Sequence, residues 1–227
     1  MDPNRARHGY SVEIESLEHD LLHMGSRAES MVGQAVESLV NLDIRLARDV
    51  CLRDDEIDEL DARIEDHCIR MLALQHPMAS DLRLVGTAMK MITDIERIGD
   101  LAVEIARIAM KIEKELGSAD IVDVPRMARL AQRMLRQSLE AYVKRDLDLV
   151  ESVLEQDDVV DAMYRELREQ LFVSMREDPE NVVVDSWLLL AIHHVERIAD
   201  HATNIAERVR YMVVGRTPAG DRWLPEA

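Results

Sequence analysis

Glu96 and Asp100 stand one helical turn apart in "DIERIGDLAVEIA", and Glu196 and Asp200 stand the same way in "HVERIADHATNIA", one hundred residues later. Eight of the fifteen residues from Ile92 to Ala106 recur at that offset. Two more pairs precede them, Asp54 with Asp58 in "DDEID" and Asp157 with Asp161 in "DDVVD", at an offset of 103. Like charges at i and i+4 on a helix repel by about 0.2–0.5 kcal/mol per pair. Four carboxylates on one seam would repel more, unless cations neutralise them. Oxygen-only ligands are hard, so the ions that suit them are iron, manganese, magnesium or calcium. Several carboxylates can also bridge ions, which allows a multinuclear cluster. The rival reading is salt bridging, for which Arg53, Arg97 and Arg197 stand within reach.

Position separates these pairs from the many that chance supplies in a chain with 45 acids. Each acid follows a phase of the apolar stripe by one residue, so it flanks the core edge of its helix and not the opposite face. His193, His194 and His201 surround the second motif, where the first has Thr93, Asp94 and Leu101. They are accessory candidates only, because a histidine near a bundle seam is more often structural. The Glu-x-x-His motif of di-iron bundles does not occur. Neither does a Gly-x-Ser-x-Gly elbow, a Cys-x-x-Cys or a Gly-rich phosphate loop, so catalysis is the weaker expectation.

The elements that must position these acids are helices. The chain is rich in Leu, Ile, Val, Met and Ala, with eight Gly, six Pro and 3% aromatics. Periodicity predicts helices over 11–48, 50–75, 80–116, 124–144, 147–177 and 181–214. Breaks fall at "HPMAS", with Ser80 a candidate cap, at "GSADIVDVP", with Pro125 in a first-turn position, and at "EDPEN". Ala88, Ile92, Ile95, Gly99, Ala102, Ala106 and Ala109 form a stripe at steps of four and three. Leu188, Ile192, Val195, Ala199, Ala202, Ala206 and Val209 repeat it. Such stripes face neighbouring helices in antiparallel bundles. The prediction is an all-α fold of two tandem, internally duplicated three-helix bundles: 1–117 and 124–215, followed by a flexible tail at 216–227. In each bundle the second and third helices are joined by a short turn and pack antiparallel, so their acid pairs can meet across one seam.

A net charge of −17 argues against a nucleic-acid partner, which needs Lys and Arg to displace counterions. Cys51 and Cys68, read as lying on one helix roughly 25 Å apart, cannot bridge within it. Two unpaired thiols, no apolar run long enough for a bilayer and no apolar secretory segment at the start together lead us to expect a cytoplasmic protein.

On "HPMASDLRLVGTAMKMITDIERIGDLAVEIA" (76–106), "LLLAIHHVERIADHATNIAERVRYMVVG" (188–215) and the acidic "DDEIDELDARIE" (54–65), the sequence resembles the PhoU family of accessory and regulatory proteins of bacterial phosphate-specific transport. The resemblance runs up to about Gly215. It implies two similar three-helix bundles whose acidic motifs bind metal, including multinuclear iron clusters. The positions that match are Asp54, Asp58, Glu96 and Asp100, then Asp157, Asp161, Glu196 and Asp200. It also implies repression of the phosphate-starvation response. The partners it implies are the phosphate-transporter ATPase subunit and the phosphate-sensing membrane histidine kinase, so the chain would reach the membrane only through them. A homodimer is a further candidate. Ala199 departs from the glycine the family often writes there, and Glu104 against Asn204 raises the prospect of two unequal sites.

The expectation is a non-enzymatic negative regulator acting through protein contacts, with iron, manganese or magnesium at its acidic motifs. A metal-storage or metal-dependent helical-bundle enzyme, and a metal-free helical scaffold, are the alternatives.

Overall fold

Helix periodicity carries through the chain, and the computed structural model contains no strand among the residues it describes, 3–75, 79–116 and 123–215. The elements are α1 (Pro3–Asn41), α2 (Ile44–Leu52), α3 (Asp54–Gln75), α4 (Ala79–Leu116), α5 (Val124–Lys144), α6 (Leu147–Glu177) and α7 (Val182–Val214), with a single 3₁₀ turn at Pro179–Asn181 before α7. The expected tail at 216–227, the linker at 117–122 and the first three residues of "HPMAS" lie outside the described residues.

The first expected helix, 11–48, stops instead at Asn41. Leu42 adopts a left-handed conformation with φ of 48°, and Asp43 then caps α2 by accepting from the Arg45 and Leu46 amides at 3.0 and 3.1 Å. A left-handed non-glycine residue costs about 1–3 kcal/mol, which a side-chain cap worth about 1 kcal/mol and the burial of the Leu42 flank help to offset. The second half makes the same turn 103 residues later. There Arg145 has φ of 58° and Asp146 caps α6 through the Asp148 and Leu149 amides. The expected helix 50–75 is likewise two helices, because the chain breaks at Arg53 between α2 and α3. Cys51 and Cys68 therefore sit on different helices, and both are free. Ser80 lies inside α4 and is not its cap. Asp123 caps α5 as Pro125 required, accepting from the Arg126 amide at 3.2 Å.

The bundles are a duplicated pair. In each half the outer arm, α2 with α3 or α6 alone, packs on two inner helices, α1 and α4 or α5 and α7. Arg53 Nη1 donates to Gln34 Oε1 at 2.7 Å in one half, and Gln156 Nε2 donates to Gln137 Oε1 at 2.6 Å at the matching positions of the other. Arg53 is thereby engaged away from the acidic seam.

The halves join through α1 against α5 and α4 against α7, and their buried side chains form one continuous core. Both contacts are antiparallel. Early α4 meets late α7 where Arg83 Nε donates to the Met212 carbonyl, and late α4 meets early α7 where the Lys111 ammonium sits 4.2 Å from the Trp187 ring centre. The stripe read from sequence is buried, but a second row matters as much. Asp94, Ile98, Leu101, Ile105 and Ile108 on α4 are all buried. The same phases on α7 are His194, Ile198, His201, Ile205 and Arg208. These rows face each other across the join.

The join has an approximate two-fold relation. Gln132 approaches Gly33, and the residues at the duplicated positions, Glu29 and Arg136, form an ion pair. Gly25 is the tightest approach on α1, since a Cβ there would sit 2.1 Å from Leu139 Cδ1.

Candidate acidic sites on the α3/α4 and α6/α7 seams

In the first half, the antiparallel packing of α3 on α4 brings Asp54 beside Asp100 and Asp58 beside Glu96. Burial pushes the Asp54 carboxyl above the usual range, and the charges of Asp100 and Asp58 push it further, against the pull of Arg107. Glu96 is raised first by burial and then by Asp100, with Arg97 opposing and Asp58 and Asp61 adding to the rise. Asp61 is itself raised by burial, Glu65 and Asp58. It is a fifth acid on this seam that sequence reasoning missed. Its signal was its position, seven residues after Asp54 on the same helix face.

The second half repeats the arrangement with different neighbours. Asp157 is raised by burial and by Asp200 and Asp161, while the Thr203 hydroxyl pulls the other way. Glu196 is raised by burial, Asp200 and Asp161, and lowered by His193 and Arg197. Asp200 is raised by burial and Asp161, with His201, Arg197 and His193 opposing. Glu196 Oε2 is buried without a hydrogen bond, and His193 Nδ1 lies 3.3 Å away. Tyr164 stands where the first half has Asp61, its ring 6.1 Å from that of His193. The seams therefore differ: five carboxylates in one, four with an imidazole in the other.

All eight acids singled out from the sequence thus gather as two quartets. Some of the charge is answered by arginine, since Arg97 Nη1 lies 2.8 Å from Asp100 and its Nε 3.5 Å from Glu96. Burial first, and then the charge of the neighbouring carboxylates, holds Asp54, Glu96, Asp157, Glu196 and Asp200 above their ordinary values. Among the described residues no three His, Cys, Asp or Glu side chains close around a common point tightly enough to hold one ion. The quartets suit a cation in charge and in donor type, but their side chains are not preformed as a ligand sphere.

His201 and His194 lie at the join between the halves. His201 Nδ1 lies 3.0 Å from Asp94 Oδ1, and Arg208 Nε donates to Asp94 Oδ2 at 3.0 Å. Asn204 is at the edge of the same cluster, 3.5 Å from Asp94. At the two-fold related corner, Glu104 lies close enough to His194 to favour its protonated form, although burial holds that imidazole below its usual value. The difference between Glu104 and Asn204 is therefore used at the join between halves: each faces the residue, His194 or Asp94, that the other half supplies.

Similar proteins share both the repeat and its packing. The PhoU domain family matches residues 21–109 and again 124–209. The chain belongs to the PhoU family. A "Phosphate-specific transport system accessory protein PhoU homolog" of Pseudomonas aeruginosa is 38% identical over 207 residues, covering 91% of this chain and 86% of that protein. One of the same description from Synechocystis is 37% identical over 214 residues, covering 94% and 95%. The crystal structure of PhoU from Pseudomonas aeruginosa superposes with a TM-score of 0.86 at 37% identity, covering 91% of this chain and all of that one. That of the phosphate transport system regulatory protein PhoU from Streptococcus pneumoniae gives 0.84 at 28% identity, covering 91% and 98%. No described helix is long and apolar enough to cross a membrane.

Proposed function

We infer that the chain is an accessory protein of phosphate-specific transport that acts by binding and not by catalysis, and that it restrains both transport and the phosphate-starvation response when phosphate is plentiful. Membership of the PhoU family carries this reading, with relatives named as transport-system accessory proteins over nearly their whole length. The absence from the sequence of a recognisable nucleophile motif is in keeping with it. The partners are the transporter's ATPase subunit and the phosphate-sensing histidine kinase, met at the cytoplasmic face of the membrane.

The acidic seams give this adaptor a metal-dependent surface. Asp54, Asp58, Glu96 and Asp100 would hold cations in the first half, and Asp157, Asp161, Glu196 and Asp200 in the second. The ions, iron, manganese or magnesium, supply positive charge that cancels the repulsion between facing helices. The seam carboxylates in turn tie α3 to α4 and α6 to α7, fixing the outer arms. Half-buried carboxyls raised by burial and by one another's charge on both seams support this reading.

Deletion of the gene in its host, followed by complementation, tests it. Phosphate-starvation genes should be expressed in phosphate-rich medium after deletion and silenced by the intact gene. Unchanged expression on deletion overturns the regulatory reading. Full silencing by a variant with all eight carboxylates replaced by Asn or Gln overturns the metal-dependent surface while leaving the adaptor role in place.

A further inference from the structure

α5 is the odd helix of this chain. It carries five basic residues against Glu140 alone, within a protein of net charge −17. Four of them, Arg126, Arg129, Arg133 and Arg136, recur at steps of three, four and three, so they form one exposed row about 15 Å long. Arg136 pairs with Glu29 of α1. Among the described residues Arg126, Arg129 and Arg133 make no ion pair. A helix solvated for its own sake mixes its charges, as the rest of this surface does. The duplication supplies the comparison: the matching positions on α1 are His23, Ser26, Ser30 and Gly33. The row is therefore not part of what the repeated fold needs.

Beside the row runs a trough between α1 and α5 of about 260 Å³. Its walls are largely apolar, with Val36 and Val40 on one side and Pro125 and Ala128 on the other, and Arg129 stands on its rim. Val40 is 39% exposed at its edge. A groove between two helices is the shape that receives a third helix, by the ridge-and-groove packing that builds bundles. We propose that this arginine row and the trough beside it form a docking surface for an acidic amphipathic helix of a partner protein. The partner's apolar ridge would enter the trough while its carboxylates meet the guanidinium groups, which bind such groups in a bidentate fork.

Charge selects this occupant over others. Glu37 and Glu29 line the α1 side of the same region, so the face is basic along one edge only, which suits a one-edged helix, whereas a flat anionic bilayer would also meet these acids and the net charge of −17. Nucleic acid would meet the remaining negative surface. The long-range repulsion between two acidic proteins is screened beyond about 8 Å at physiological salt, so the local row decides the contact. The surface is independent of the metal seams and of the regulatory reading, because binding itself is what the test reads.

A photo-crosslinking amino acid placed at Val40 of the full chain, expressed in its host, tests this, with the same group at exposed Val159 of α6 as control. The expected result is an adduct at Val40 and not at Val159, with a peptide of another protein that alternates apolar residues at steps of three and four with Asp and Glu. Combining it with Arg129→Glu and Arg133→Glu should cut the yield at least tenfold, while Arg129→Lys and Arg133→Lys should retain most of it. No adduct, an adduct with lipid, nucleic acid, a non-acidic segment or a second copy of this chain, or a yield indifferent to charge reversal, each overturns the proposal. All these residues lie on the surface, and circular dichroism of each purified variant should match the parent.

Discussion

The Asp94 carboxylate receives both His201, at 3.0 Å, and Arg208, at 3.0 Å, from the opposite half of the chain. Asp94 is buried, so this is a charge removed from water and held by partners that only the assembled join provides. Hydrogen bonds to charged groups contribute about 1.5–3 kcal/mol. Asp94→Ala should destabilise the protein by that order in urea denaturation. His201→Leu, which copies the residue at position 101, should cost less because Arg208 remains. Equal, negligible losses would show that the join does not rely on this cluster.

Glycine matters at one crossing and not at another. Gly25→Ala places a methyl group against buried Leu139, an overpacking that costs about 1–3 kcal/mol. Gly99→Ala meets Ile57 at an ordinary 3.5 Å, and the other half already has Ala199 there. Helix propensity then dominates, and Gly99→Ala should stabilise by about 0.5–1 kcal/mol. Thermal melts of the two variants should move in opposite directions.

Metal addition should raise the melting temperature. Selective binding to the folded chain stabilises by about 2.7 kcal/mol at a hundredfold excess over Kd. Replacing Asp200 by Asn should have two effects: a gain of about 0.2–0.5 kcal/mol without metal, as repulsion falls, and a smaller response to manganese or iron. A melting temperature indifferent to metal and to chelator removes the cations from the account.

Acid should stabilise the metal-free protein through its seams. Asp54, Asp61, Glu96, Asp157, Glu196 and Asp200 all titrate above their ordinary values of 3.8 and 4.5. In the window just above those values the folded chain holds more protons than the unfolded one, so these groups lower stability as pH rises through it. His194 has the opposite sign, since its value is lowered: its contribution is present above 6.5 and is lost as pH falls below that. Denaturation of His194→Gln between pH 4.5 and 7 isolates the carboxylates and should show stability falling with pH. Bound cations keep the carboxylates deprotonated, so metal should flatten or reverse that slope.

The helices at 124–144 and 147–177, the duplicated stripes and the facing acid pairs were legible because they depend on local period and on one short turn. The stop at Asn41 was not, since "NLD" holds neither Gly nor Pro. The matching "KRD" at 144–146 falls between the predicted helices 124–144 and 147–177, and the 103-residue offset carried backwards from it places a turn at Leu42. The Asp94 cluster could not be read at all, because it depends on the register of α4 against α7, which no spacing within either helix records. Asp61 pairs with Glu65 one turn along α3, and only the packing of α3 on α4 brings it near Glu96 on the seam.

The two-fold relation between α4 and α7 has a consequence for what each copy is free to become. Two identical chains meeting about such an axis must write every contact twice, so a favourable change in one corner is repeated in the other whether or not it fits there. Carrying both copies on one backbone lifts that obligation, and Asp94 with His201 in one corner and Glu104 near His194 in the other are what the released constraint has produced.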